Sequence, residues 1–230
     1  MHQTDSGMLI VTTRRVRGSV RRYQNIVGQM FASEIKAGTP LRWLDVGAGY
    51  GEMIEGAKQA LPPQSTVFGI EPMEPKARDA QSRGLPIEAK LLSDVHEQYD
   101  VISLINVFSH IPDFRQFSAE LSKRLVAGGV LFLETGNGGD LESREAYPGL
   151  LYLPDHLIFV GVNQMTSLLE SIGFEIEDVR KYRVDGIIFC LKELVKSMLA
   201  RRHRCYMPYM SPFRTVLYKA RKRKDLWSAP

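Results

Sequence analysis

Residues 43–53 read Trp-Leu-Asp-Val-Gly-Ala-Gly-Tyr-Gly-Glu-Met (WLDVGAGYGEM), and this stretch decides the fold. An apolar run stops at Asp45, glycines follow at alternate positions (Gly47, Gly49, Gly51), and helix-forming residues resume at Glu52. The pattern predicts a strand, a tight glycine turn and a helix start, because glycine is needed where backbone takes positive φ or approaches a ligand with no Cβ between them. A dinucleotide fingerprint would run Gly-x-Gly-x-x-Gly, with a helix N-terminus aimed at a pyrophosphate. Here the third glycine comes one residue early, and an acid stands two residues before the first. Asp45 would repel a phosphate and hold an ammonium group. The spacing therefore suits a cationic ligand with an amino-acid end.

Downstream, the apolar run Thr66–Ile70 ends at Glu71, an acid placed to accept both hydroxyls of a ribose. A third run, Ile87–Leu92, leads into Ser93 and Asp94. A fourth, Tyr99–Asn106, continues as Phe108-Ser109-His110-Ile111-Pro112-Asp113. A helix is expected from Phe114 to Leu125, stopped at Gly128-Gly129 and followed by a strand from Val130 to Glu134. The glycine-rich stretch 136–150 reads by composition as a mobile active-site rim. Leu153-Pro154-Asp155-His156 then precedes a helix from Asn163 to Ser171, an exit at Gly173-Phe174, a strand from Glu175 to Val184 and a final strand from Phe213 to Arg221.

Taken in this order, the segments over roughly residues 40–185 resemble the class I S-adenosylmethionine-dependent methyltransferases. The resemblance implies an α/β, Rossmann-like, seven-stranded and mostly parallel sheet with helices on both faces and the last strand antiparallel. An N-terminal cap helix and a helical insertion before the last strand are added to it. In such proteins the glycine turn wraps the methionine part of S-adenosylmethionine, which assigns Asp45, Gly47, Ala48, Gly49 and Gly51 to the cofactor. Glu71 and Pro72 fall at the ribose, Leu92 and Ser93 at the adenine, and Asn106 at the end of the fourth strand. Ser109 stands where many members carry Glu. The Asn-Pro-Pro-aromatic signature of many amino-group methyltransferases is replaced by Asn106-Val107-Phe108, which favours an oxygen or carbon acceptor. The Leu153–His156 segment and the Gly173-Phe174 exit are similar to small-molecule methyltransferases of glycan, quinone and natural-product pathways.

An alcohol or phenol needs a base as its oxygen attacks, and histidine is the side chain best poised near neutral pH. His110, after the fourth strand, and His156, on the substrate-side loop, are the candidates. Each also has a plain structural reading: a loop-fixing hydrogen bond for His110, and packing against Phe159 for His156. His2, His96 and His203 have no supporting context.

With 230 residues, 44% hydrophobic and 24% charged, the chain suits one soluble domain: a basic segment and cap helix over 1–38, the cofactor-binding core over 39–185, and the insertion, final strand and basic tail over 186–230. Cys190 and Cys205 are too few for a disulfide framework and lack metal spacing. No basic start with a continuous apolar stretch and no spanning run is present, so a cytoplasmic setting is expected. Residues 1–42 carry seven Lys or Arg against two acids, and residues 180–230 carry fourteen against three, so two basic ends flank an acidic core. Such ends could favour a small or glycan-like anionic acceptor, a membrane surface or nucleic acid, the plain alternative being solvated charge. The amphipathic series Tyr23, Ile26, Val27, Met30, Phe31 predicts the cap helix. A second series, Ile187 to Leu199 followed by Arg201-Arg202-His203-Arg204, predicts a basic helix that either lies peripherally on an anionic bilayer or packs on its own domain. Carbon methylation of a deoxysugar or polyketide is the alternative chemistry. A non-catalytic RNA-binding module, using Tyr206, Tyr209, Phe213, Tyr218 and Trp227 among the charges, is the disfavoured alternative class.

Overall fold

A computed structural model describes residues 17–140, 156–182, 195 and 215–223. Two N-terminal helices, α1 (Arg17–Met30) and α2 (Ala32–Lys36), precede β1 (Arg42–Val46), α3 (Glu52–Ala60), β2 (Thr66–Ile70), α4 (Glu74–Ser82) and the short β3 (Ile87–Glu88). Then come β4 (Tyr99–Ile105), α5 (Phe114–Arg124), β5 (Leu125–Gly136), α6 (Val162–Ser171), β6 (Phe174–Tyr182) and β7 (Thr215–Lys222). The seven strands form one sheet in the order β3-β2-β1-β4-β5-β7-β6. β1 to β5 run parallel, and β7 pairs antiparallel with both β5 and β6. This is the expected Rossmann-like sheet, with its order reversing at β1/β4, where the ligand crevice of an open α/β sheet opens.

Alternation along the strands sorts side chains into two cores, as a sheet covered on both faces requires. Trp43, Val101, Phe132 and Leu217 point to one face, beneath α1 and α3. Leu44, Ile102, Leu131 and Tyr218 point to the other, with α5 and α6. Fully buried Trp43 packs its ring 4.8 Å from Phe31 and 5.8 Å from Phe132. Gly56 lets α1 cross α3 closely, since a Cβ there would come within 2.8 Å of Tyr23 Cβ and the Val20 carbonyl. Lys219 and Lys222, on opposite faces of β7, each close a helix C-terminus, where lone carbonyls favour cations. Lys219 Nζ donates to the Met30 carbonyl (3.0 Å) and Glu34 (2.8 Å), over the Phe31 ring. Lys222 Nζ donates to the Ser122 (2.6 Å) and Leu125 (3.1 Å) carbonyls at the end of α5.

Several boundaries differ from expectation. Helix α5 ends at Arg124 and β5 starts at Leu125, so Gly128-Gly129 is no helix stop. Leu125 pairs with Tyr99 and Val130 with Val101, which makes the glycines part of a bulge in which Gly128 takes φ +76°. The third run is a strand only at Ile87–Glu88, where β3 is the edge of the sheet. Strand β6 is described over Phe174–Tyr182 and β7 over Thr215–Lys222, and the expected limits at Val184 and Phe213 lie outside the described residues. The expected rim over 141–150 lies outside the described residues, as do the helical insertion apart from Val195, both cysteines, His2 and His203.

Candidate active site

The glycine turn leaves β1 at Val46 and reaches α3 through three left-handed residues, Gly47 (φ +72°), Gly49 (+55°) and Gly51 (+83°). Gly47 and Ala48 donate their N–H groups to the Ile70 carbonyl at 2.9 and 3.0 Å, which pins the turn to the end of β2. A Cβ on Gly49 would meet nothing within 4 Å, so its backbone is open to a ligand. Gly51 differs: it caps α3, and a Cβ there would overlap Leu85. Its glycine is required by packing and conformation, and it does not line the cavity.

Beside the turn lies a cavity of about 520 Å³, within the range of small-molecule and cofactor sites. Asp45, Gly47, Ala48 and Gly49 line its β1 side, and Glu71 and Pro72 its β2 side. Leu92, Asn106 and His110 line it as well, and Val107 packs against Gly47 of the turn. Ser93 is outside: it is exposed, and its hydroxyl donates to Asp94 at 3.3 Å. The 3-10 turn Leu92–Asp94 turns Leu92 inward and Ser93 to solvent, so adenine contact through the Ser93 side chain has no geometric support. Glu71 is 7% exposed and accepts from Gly49 N (2.8 Å) and Met73 N (3.0 Å), which fixes its carboxylate against the turn.

Asp45 is 1% exposed and accepts from the Ser103 hydroxyl at 2.5 Å, and that hydroxyl accepts from Trp43 Nε1 at 2.8 Å. Burial pushes the Asp45 carboxyl up to about 7; the Ser103 hydrogen bond opposes this, and the charges of Glu71 and Glu52 add to it. An acid pushed up by burial at the floor of a cavity is a site for a cation. With a bare glycine backbone beside it and Glu71 beyond, the residues fit S-adenosylmethionine, which joins a sulfonium and an ammonium to a nucleoside.

His110 ends the 3-10 turn Phe108–His110 that follows β4. His156 is not among the residues lining the cavity; its ring centroid is 4.7 Å from that of His110 and 6.2 Å from Phe159. The Leu157 N–H donates to the Ser109 carbonyl at 2.7 Å and holds the two segments together. His96 is exposed and is not among the residues lining the cavity.

Sequence reasoning missed two parts. Tyr23 of α1 reaches the cavity lining, so the cap helix touches the site through one aromatic side chain. Glu134, buried on β5, accepts from Arg22 at 3.0 and 3.1 Å and from Asn106 Nδ2 at 3.4 Å. A polar residue at the carboxyl end of a central strand was the available signal. The basic ends are partly consumed by the fold. Arg22 pairs with Glu134, Arg180 with Asp178, Lys219 with Glu34 and Arg221 with Glu177. Among the described residues no helix is long and apolar enough to cross a membrane.

Comparison with known proteins agrees with this geometry. A family described as "Methyltransferase domain" matches residues 15–179. Ubiquinone biosynthesis O-methyltransferases are 28% identical over 119 residues in Rhizobium leguminosarum bv. trifolii (46% of each chain) and over 179 residues in Dinoroseobacter shibae (69% of each chain). The C-methyltransferase NovU of Streptomyces niveus is 25% identical over 62% of this chain, a match that spans 35% of NovU. Among solved structures, the plantazolicin methyltransferase BpumL, in complex with a monoazolic desmethylPZN analog and SAH, superposes with TM-score 0.61 at 16% identity, covering 90% of this chain and 86% of that one.

Proposed function

Because the chain belongs to the class I S-adenosylmethionine-dependent methyltransferases, we propose that it methylates a hydroxyl of a small-molecule or glycan-like acceptor, with His110 as the base. The observation that carries this reading is the position of His110 in the lining of the cavity that the glycine turn also lines, with the His156 ring 4.7 Å from its own. When bound, S-adenosylmethionine supplies a methyl group on a sulfonium, open to in-line displacement by a nucleophile. Asp45 and Glu71 would hold its cationic and ribose portions, and the Gly47–Gly49 backbone would lie against it. The chain's remaining task is to orient the acceptor and take its proton. His110 faces the cavity and can accept that proton. The His156 ring lies 4.7 Å from that of His110. The similarity to ubiquinone O-methyltransferases supports an oxygen acceptor. The similarity to NovU supports the second reading, a carbon acceptor, in which the same histidine would take a C–H proton.

The test uses labelled S-adenosylmethionine and extracts of the source organism, with products separated into lipid, glycan and small-molecule pools. His110→Ala should lower transfer by about 10²–10⁴-fold, the usual contribution of a general base, while S-adenosylhomocysteine binding stays intact. His156→Ala should lower it less. Unchanged transfer in both variants refutes the histidine base.

A further inference from the structure

Arg22, Glu134 and Asn106 join three elements at the cavity, and none of the chemistry above uses the first two. Glu134 is buried, its side chain 4% exposed, at the carboxyl end of β5. Arg22 Nη1 donates to both of its oxygens, and the guanidinium lies over the rings of Tyr23 (5.1 Å) and Tyr182 (5.8 Å). Asn106, at the end of β4, donates its backbone N–H to the Glu134 carbonyl at 2.9 Å and its side-chain Nδ2 to the Glu134 carboxylate at 3.4 Å. Asn106 is also the one non-glycine residue with positive φ (+56°) among the described residues. Asn tolerates that conformation better than most side chains, and local strain of this kind clusters at ligand sites.

The chain of donors and acceptors has a direction. An ionised carboxylate is acceptor-only, and a guanidinium is donor-only. Burial holds the Glu134 carboxyl above the ordinary carboxylate range, while the Arg22 guanidinium and the Asn106 hydrogen bond oppose this and favour its ionised form. Glu134 can then receive only the NH₂ end of the Asn106 amide, which leaves the carbonyl Oδ1 as the end offered to the cavity. We infer that Glu134 and Arg22 are positioning residues that fix the Asn106 amide so that it presents an acceptor to the donor groups of the bound cofactor. The same pair ties α1, and with it Tyr23, to the sheet beside the site. This inference rests on the cofactor reading above.

The probe is S-adenosylhomocysteine, titrated by calorimetry beside thermal melts read by circular dichroism. Wild-type protein that binds no S-adenosylhomocysteine overturns the cofactor reading, and this inference with it. Glu134→Gln removes the directionality, since its amide both donates and accepts, but it strands the Arg22 charge. The double variant Arg22→Met with Glu134→Gln leaves no stranded charge in a part-buried site. Both should bind S-adenosylhomocysteine about tenfold more weakly, the loss of one well-aligned hydrogen bond. Arg22→Lys, which keeps the charge beside Glu134, should keep most of the wild-type affinity. Asn106→Gly guards against misfolding, because glycine relaxes the positive φ and leaves the Arg22–Glu134 pair in place. It should melt no lower than wild type and still lose about tenfold in affinity. Wild-type affinity in Asn106→Gly, or in a cooperatively folded double variant, overturns the inference.

Discussion

Asp45→Asn separates what the buried carboxylate costs the fold from what it gives the site. Asp45 is 1% exposed, and burial is the largest cause of its rise from 3.8 to about 7. Since the folded value lies above the unfolded one, rising pH takes the proton from the unfolded chain first. Between roughly pH 4 and 7 the folded state holds more protons, so stability falls as pH rises and levels off above 7. A rise of about three units at about 1.36 kcal/mol each gives a total near 4 kcal/mol, of which about 3 kcal/mol falls between pH 5 and 8. Asn is nearly isosteric, keeps an oxygen for the Ser103 hydroxyl and does not ionise. In urea denaturation at fixed ionic strength, Asp45→Asn should therefore gain about 3 kcal/mol on wild type as pH goes from 5 to 8. A cationic ligand pulls the carboxyl back toward ionisation, so S-adenosylhomocysteine should bind wild type more tightly at pH 8 than at pH 6. The variant should lose both the affinity and its pH dependence. A stability difference that stays constant from pH 5 to 8 refutes the reasoning.

Two glycines of one turn should fail differently. Gly49→Ala has room for its methyl group and a left-handed cost of about 1–2 kcal/mol, so it should fold and lose S-adenosylhomocysteine binding. Gly51→Ala meets both its φ of +83° and Leu85, so it should lose about 3 kcal/mol in a thermal melt; equal stability of the two would contradict the assignment of roles. Lys219→Met strands the Met30 carbonyl and leaves Glu34 with only the Ser33 hydroxyl and the more distant Arg221, and should cost about 2–3 kcal/mol, or roughly 5–10 °C in melting temperature. A melt within about 2 °C of wild type would show that the lysine contributes no more than its stem.

The fold was legible where one residue type has one physical use. Three left-handed positions in five residues demanded glycine, and an apolar run on each side of them admitted a strand and a helix. Boundaries failed where one residue type has several uses. Gly128-Gly129 resembles a helix stop, yet the α5 exit is already made at Leu125, whose backbone is extended and whose N–H still reaches the Leu121 carbonyl. Lys222 covers the last carbonyls, so the glycines were available for the bulge against β4. The structural use of some basic residues was hidden for a related reason. A lysine in a strand reads as solvated charge until the topology places it over a helix terminus a hundred residues away, as Lys222 is over α5.

The site was legible at the cofactor end because its residues sit in a contiguous motif; the electrostatics that tune them were not, because they come from strand register. Asp45 pairs with Ser103 across β1 and β4, fifty-eight residues apart in the chain. Trp43, two residues earlier on the same face, reaches the same hydroxyl. An indole N–H can only donate, so Ser103 Oγ must accept from Trp43 and send its own proton to Asp45. Glu134 constrains the Asn106 amide by the same logic on the far side of β4, from an acceptor-only group. Asp45, through Ser103, and Asn106 thus have their hydrogen-bonding sense set from behind by a partner with a single option. Motif spacing records only the front member of each pair. The back member is chosen by which strand lies alongside, and a single sequence reveals that only after the sheet order is known.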